Sequence, residues 1–153
     1  MTPRRTIAVS VLTIVAVAAS PSAADAITGL WVANSSTVGH ALGHLLSAVL
    51  TVAVGLGIRR LRRAWPAPAP DPLSPARVFG EKQYQLLALA QWLVLAAAAG
   101  QFLESAGAIS LSETVHNTGL ALALGAWGIT LFVCLHMLGV GVRGALRRAA
   151  HPI

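Results

Sequence analysis

Long apolar stretches alternate with short basic or proline-rich stretches along the whole chain. Residues 38–58, 83–103 and 118–142 are each apolar and long enough to cross the roughly 30 Å of hydrocarbon in a bilayer as a helix. A shorter apolar run lies within residues 1–26. The pattern predicts an all-α integral membrane bundle that forms a single domain over residues 1–153.

The N-terminal segment 1–26 has two interpretations. Arg4 and Arg5 precede its apolar run, and small residues follow Pro21, as in a secretory signal peptide with its cleavage site. The same run is near the lower limit of length for a membrane span, with the two arginines as its inner anchor. The sequence therefore predicts four spans if the segment is retained and three if it is cleaved.

Basic residues gather at one end of each predicted span. Arginines follow residues 38–58 directly and follow the last span at positions 143, 147 and 148. By the positive-inside rule these ends, and the C-terminus, are cytoplasmic. Residues 64–82 then form a proline-rich cytoplasmic loop, which we interpret as a semi-rigid linker, or alternatively as a ligand for a proline-binding partner. The same topology places His40 and a loop over residues 104–117 outside.

The composition is typical of a membrane protein and argues against a soluble domain, a nucleic-acid-binding protein and a disulfide-bonded fold. Only 10% of the residues are charged, against about a quarter in soluble domains. Eleven basic residues outnumber five acidic ones, but they lie beside apolar runs, where they contact anionic headgroups, so we expect no nucleic-acid partner. The single cysteine, Cys134, excludes an intramolecular disulfide. The preference for arginine, with one lysine, indicates a bacterial protein of the plasma membrane.

Two histidines provide the clearest candidate chemistry. His40 and His44 are four residues apart, so a helix places them on one face, where two imidazoles can share a metal ion. The pair cannot supply both axial ligands of one haem, because these come from opposite faces of the macrocycle. A haem that spans two helices is disfavoured as well, since no second ligand is expected at the level of His44. The candidate metal ligands are His40, His44, Glu104 and His116, with an unspecified transition metal ion as the cofactor. The alternative is that these histidines form hydrogen bonds between helices.

The depth of each residue can be counted from the inner charges at about 1.5 Å per residue. This count places Gln101 and Glu104 near the level of His40 and places His116 higher by roughly 12 Å. His44 then faces a part of the last span that offers no ligand. A site containing His116 therefore requires its segment to fold down.

His136 lies deeper, within the hydrocarbon, where an ionisable side chain is a functional candidate. Thr51 and Gln91 are its expected neighbours, so we predict either a hydrogen-bonded neutral histidine or part of a proton pathway. No aspartate or glutamate lies within the three long predicted spans, which disfavours proton-coupled transport.

The function predicted first is that of an interaction or accessory subunit without catalysis. Small residues such as Gly39, Gly43 and Ser47 recur at four-residue spacing and favour close packing against other helices, of the same chain or of a larger complex. The alternative is an outer-face metal-binding or metal-handling protein that uses His40 and His44. A third is a small transporter or channel with His136 in its path. The chain contains no phosphate-binding loop, nucleophile motif or Cys-x-x-Cys motif that would indicate an enzyme.

Overall fold

The computed structural model describes residues 1–33, 36–65 and 75–150, apart from the side chains of residues 75–77. Four helices account for nearly all of these residues: α1 (Pro3–Thr28), α2 (Thr37–Ala64), α3 (Pro75–Ser110) and α4 (Glu113–Ala150). All four are long and apolar enough to cross a membrane. The predicted all-α membrane bundle is confirmed in its four-span form, whereas cleavage of residues 1–26 in the cell stays a prediction. Residues 66–74 of the predicted proline-rich loop lie outside the described residues. Residues 75–82 do not form part of a loop, contrary to the prediction, because α3 begins at Pro75.

The helices form a closed ring in which each packs against its neighbours in sequence and α1 packs against α4. The middle of the ring is filled by apolar side chains that are at most 1% exposed, namely Val9, Leu87, Val94 and Met137. Large apolar side chains on the outside, such as Leu12, Trp92 and Phe132, are more than half exposed, as expected of a surface that contacts lipid.

Helix α1 extends beyond its apolar run to Thr28, and its buried polar side chains bond to their own helix. The hydroxyl groups of Ser10, Ser20 and Thr28 each donate to the carbonyl oxygen four residues earlier, at 2.7–2.9 Å. These residues are therefore buried without an unpaired donor. Ser36 begins α2 as its N-cap, since its side chain accepts from the Gly39 N–H at 3.0 Å.

Helices α3 and α4 approach each other most closely. A Cβ atom added to Gly100 would lie 2.5 Å from the backbone nitrogen of Ala123, and one added to Gly119 would lie 2.5 Å from that of Glu104. Glycine therefore lets the two backbones touch at several levels. This contact fixes the height of α4 against α3.

The prediction of an outer loop over residues 104–117 is wrong for most of that segment. Helix α3 continues to Ser110 and α4 begins at Glu113, which leaves Leu111 and Ser112 as the connection. Leu111 has a φ of 55°, the left-handed conformation that often follows the last residue of a helix. Polar residues in the first part of this segment face the bundle: the Ser105 hydroxyl donates to the Ala41 carbonyl at 2.9 Å. Their polarity therefore reflects bonds between helices instead of exposure in a loop.

Candidate metal centre

Three imidazole rings meet at the outer end of the bundle. His40 and His44 come from adjacent turns of α2, and His116 comes from the first turn of α4. Their ring centroids are 4.5 Å apart for the α2 pair and 5.5 and 5.7 Å from His116. One ligand nitrogen from each ring lies within 4.8 Å of the others, which makes the three a candidate metal-binding group. We call them the three-histidine group.

Glu104 accepts hydrogen bonds from the Nδ1 atoms of two of these rings. Its Oε2 lies 3.1 Å from Nδ1 of His44, and its main-chain oxygen lies 3.2 Å from Nδ1 of His116. Both oxygens accept, so each ring carries its proton on Nδ1 in these bonds and keeps a lone pair on Nε2. Histidine ligands in metal sites are oriented in this way by carboxylates and main-chain carbonyls.

The spacing of the His40 and His44 nitrogens suits a tetrahedral ion, and the ligand nitrogen of His116 lies within 4.8 Å of them. The Nε2 atoms of His40 and His44 are 3.2 Å apart, a distance at which one ring donates to the other when no ion is bound. Two imidazole nitrogens at 2.0–2.1 Å from a tetrahedral zinc ion are separated by about 3.3 Å. An ion that replaced the shared proton would keep this separation, while each ring would turn its Nε2 lone pair from the neighbouring nitrogen toward the ion.

Glu104 has a different position from the one predicted for it. Glu104 is predicted from sequence as a metal ligand, but its carboxylate faces Nδ1 of His44 and it is not part of the three-histidine group. Glu104 is 4% exposed and lies inside α3. The expectation that it lies outside the spans, in a loop, is therefore wrong.

The predicted height of His116 is also wrong, because the inner charges of the helices are not level. Gly55 of α2 packs against Leu95 of α3, which puts Arg59 near the level of Gln91. Gln91 is nine residues, or about 13 Å, further from the inner end of α3 than Lys82. Because α2 is displaced outward along α3 by this distance, His40 lies higher than the count from Arg59 predicts. His116 contacts Gly107 of α3 and is therefore level with His40.

A further carboxylate, Asp25 of α1, belongs to the same region. Its Oδ1 would lie 3.2 Å from a Cβ atom added to Gly43, one residue before His44. Asp25 is not among the predicted site residues, because it lies beyond the apolar run of this segment, where the sequence also fits a cleavage site. The small-residue strip that includes Gly43 is the signal that could have found it, since a strip without side chains leaves room for a polar group from the facing helix.

Two cavities adjoin the three-histidine group. The outer vestibule, about 510 Å³, is lined by residues that include His40, His116 and Glu113. The inner chamber, about 420 Å³, lies between the four helices and is lined by residues that include Asp25, His40, His44, Gln101, Glu104 and Trp127. His40 contributes to both cavities. The group therefore has an approach from the outer end and an internal space beside it.

The deeper candidates do not form a second site. His136 is exposed on the outside of α4, whereas Thr51 and Gln91 are buried, so His136 is not the interior partner that the sequence analysis expects. Gln91 instead accepts a hydrogen bond from Nη1 of Arg62 at 2.8 Å. The guanidinium of Arg62 also lies 4.6 Å from the ring centre of Tyr84, so this contact ties the inner end of α2 to α3.

Comparisons of the chain with protein-family models, with curated protein sequences and with solved structures give no match. Any function therefore has to be argued from the geometry of the three-histidine group and its surroundings.

Proposed function

We propose that this protein binds one divalent transition-metal ion at the outer end of its membrane bundle, with His40, His44 and His116 as ligands through Nε2. The observation that carries the proposal is the pair of hydrogen bonds that Nδ1 of His44 and Nδ1 of His116 donate to Glu104. A cluster of histidines that only bonded to one another would not need two rings fixed in the same tautomer. Imidazole ligands suit zinc, copper, nickel and cobalt, and we take Zn²⁺ as the test ion.

The ion reaches the site from outside through the outer vestibule. Basic side chains mark the opposite end of the bundle, where the Arg5 guanidinium lies 5.3 Å from the ring centre of Trp65 and Arg62 contacts α3. We infer that this end faces the cytoplasm of a bacterial cell and that the three-histidine group faces outward. Metal binding in this orientation suits capture or sensing of an ion outside the plasma membrane.

The geometry favours metal binding over the other two functions predicted from the sequence. Passage of a solute along His136 has little support, because that side chain lies on the outside and the core near it is tightly packed. The accessory-subunit function stays a prediction. It is compatible with metal binding, since a subunit can carry the metal site of a larger complex.

Metal stoichiometry tests the proposal. We expect the protein purified in detergent, loaded with Zn²⁺ and passed through a desalting column, to retain one zinc per chain by elemental analysis. His40→Ala, His44→Ala and His116→Ala should each retain much less. His136→Ala is the matched control, since it removes an exposed histidine far from the group and should retain one zinc. Equal zinc in all variants, or none in the unmodified protein, would refute the proposal.

A further inference from the structure

A cavity of about 440 Å³ lies at the inner end of the bundle, between the start of α1 and the end of α4. Its described lining residues are Thr2, Pro3, Arg4, Ala145, Arg148 and Ala149. Two arginines from different helices therefore share one cavity, and no carboxylate in this described lining offsets their charge. We call this space the basic cavity.

Close packing of α1 against α4 brings the two arginines together. A Cβ atom added to Gly144 would lie 3.2 Å from Cγ of Pro3, and one added to Gly141 would lie 3.2 Å from the main-chain oxygen of Pro3. Arg4 follows Pro3 directly, and Arg148 lies about one helical turn beyond Gly144. Two like charges beside one space repel each other, and an anion bound between them would offset that repulsion.

A second cavity, about 320 Å³, lies further out between the same two helices. Its described lining contains no charged residue and includes Ile14 and Ala18 of α1 and Leu124, Trp127 and Leu131 of α4. Leu124 and Leu131 are also exposed on the outside of α4, so the cavity opens toward lipid. We call it the apolar cavity.

The two cavities lie on the same face of both helices. On α1, Arg4 lines the basic cavity and Ala18, 14 residues later, lines the apolar cavity. On α4, Ala145 and Leu131 are also 14 residues apart and line the same two cavities. Fourteen residues are close to four turns of an α-helix, so each pair shares one face. Val11, midway between the α1 pair, is 43% exposed, so the surface that joins the cavities on α1 is apolar.

The separation of the cavities matches the length of a lipid. Ile14 lies ten residues, or about 15 Å along the helix, beyond Arg4. One leaflet contributes half of the roughly 30 Å of hydrocarbon in a bilayer, which is also about 15 Å. A headgroup at the basic cavity therefore places the ends of its acyl chains at the apolar cavity. A soluble anion would leave the apolar cavity unused, and a lipid without net charge would leave the arginines without an offsetting charge.

We propose that the groove between α1 and α4 binds one anionic phospholipid from the leaflet at the inner end of the bundle. Its phosphodiester headgroup binds Arg4 and Arg148, and the end of an acyl chain occupies the apolar cavity. Guanidinium groups pair well with phosphate oxygens, and basic pockets between spans on the cytoplasmic side bind acidic headgroups. The inference is independent of the metal centre, because no member of the three-histidine group lines either cavity. It requires that α1 is retained in the mature protein.

Native mass spectrometry of the full chain tests this inference. The protein in detergent is titrated with dioleoylphosphatidylglycerol or with dioleoylphosphatidylcholine, and bound lipids are counted per chain. Inorganic phosphate is added as a competitor, and the intact mass gives the N-terminus. We expect one phosphatidylglycerol per chain, bound at least about ten times more tightly than phosphatidylcholine and not displaced by phosphate.

A pair of arginine substitutions tests the headgroup contact. Arg4→Gln with Arg148→Gln should weaken phosphatidylglycerol by about tenfold or more. Arg60→Gln with Arg63→Gln is the matched control, since it removes the same charge from exposed positions of α2 outside the basic cavity. The control should weaken the lipid by no more than about threefold, because exposed charges interact weakly with their surroundings.

A filled apolar cavity tests the acyl-chain contact without a change of charge. Gly128 lines that cavity, and a Cβ atom there meets nothing within 4 Å, so Gly128→Phe places a ring in the space of the acyl chain. We expect phosphatidylglycerol binding to fall by about fivefold to tenfold, as for loss of a few buried methylene groups. Gly125→Phe is the control, since position 125 is equally open but is not part of the described lining, and it should leave binding unchanged.

Four results would overturn the inference. Equal losses in the two arginine pairs would show that general positive charge attracts the lipid. Displacement by inorganic phosphate would assign the basic cavity to a soluble anion. Binding that Gly128→Phe leaves unchanged would remove the acyl chain from the apolar cavity. An intact mass that lacks α1 would remove Arg4 and with it the site.

Discussion

The Nδ1 atom of His44 lies 3.1 Å from Oε2 of Glu104, a carboxylate that is buried inside a membrane-spanning helix. Burial of a carboxylate among apolar helices is costly unless the group is paired or hydrogen-bonded. The partner here is a histidine whose other nitrogen faces two further imidazoles. The pair therefore connects the stability of the bundle to the orientation of the metal ligands.

Substitutions of Glu104 should weaken the metal site in graded steps. Glu104→Gln keeps an oxygen that can accept from His44 and removes the charge, so we expect zinc affinity to fall by about tenfold. Glu104→Leu removes the acceptor as well, and the loss should approach about 100-fold, the upper range for partners of metal ligands. Competition with a zinc-binding dye in detergent measures both.

Glu113→Gln is the matched control for that series. Glu113 also lies at the outer end, but it is exposed in the first turn of α4 and is outside the three-histidine group. Its substitution should leave zinc affinity within about threefold, since exposed charges interact weakly with their surroundings. A loss as large as that of Glu104→Gln would show that general negative charge, and not the bond to His44, supports the site.

The contact between α3 and α4 should be needed for the height of His116. A Cβ atom at position 119 would lie 2.5 Å from the Glu104 nitrogen, so Gly119→Ala must push the helices apart. We expect a loss of about 1–3 kcal/mol in unfolding free energy, together with weaker zinc binding. Unfolding by a denaturing detergent, with and without zinc, measures the two effects.

Gly125→Ala provides the comparison on the same helix. A Cβ atom there meets nothing within 4 Å, and helix propensity favours alanine over glycine by about 1 kcal/mol. The stability of this variant should be unchanged or slightly raised, with normal zinc affinity. Equal losses in both variants would contradict the close approach of the two helices at Gly119.

Arg62 should stabilise the inner end of the bundle more than its neighbour does. Its guanidinium donates to Gln91 and lies over the ring of Tyr84, whereas Arg63 is exposed. Lysine cannot reproduce both contacts, so Arg62→Lys should cost about 1–2 kcal/mol of unfolding free energy. Arg63→Lys should cost less than about 0.5 kcal/mol in the same unfolding experiment, as for most exposed substitutions. Equal effects would show that the contact of Arg62 adds no stability.

The orientation can be tested with single cysteines, since Cys134 is the chain's only native cysteine and is buried. In a Cys134→Ala background, Ser110→Cys places a thiol at the outer end of α3 and Ala150→Cys places one at the inner end of α4, both at exposed positions. A membrane-impermeant maleimide should label position 110 in intact cells and position 150 only after permeabilisation. The opposite labelling would contradict the proposed topology.

The helices and their membrane character could be predicted from the sequence because apolar length is a strong signal in a bilayer. The side of each helix that faces the interior of the bundle could not be predicted from the sequence. Helix α4 is apolar on all sides, so nothing in its sequence distinguishes the buried stripe that includes Val133 and Met137 from the exposed face that carries His136. The expected interior position of His136 is wrong for this reason.

The candidate site was predicted in part. The spacing of His40 and His44 identifies their shared face, but His116 joins them only because α2 is displaced along α3, which no local pattern reports. The roles of Glu104 and Asp25 depend on the same packing. In the sequence, the polar side chain of Glu104 suggests a loop and that of Asp25 suggests a cleavage region. In the bundle, both residues line the inner chamber.

X-ray absorption at the zinc edge of the zinc-loaded protein tests the central claim most directly, because it counts the ligands of the ion itself. We predict three imidazole nitrogens at about 2.0–2.1 Å, one further light atom and no sulfur. In His116→Ala the imidazole count should fall to two or the zinc should be lost. A spectrum with fewer than three imidazoles in the unmodified protein, or one that His116→Ala leaves unchanged, would contradict a metal centre formed by these three histidines.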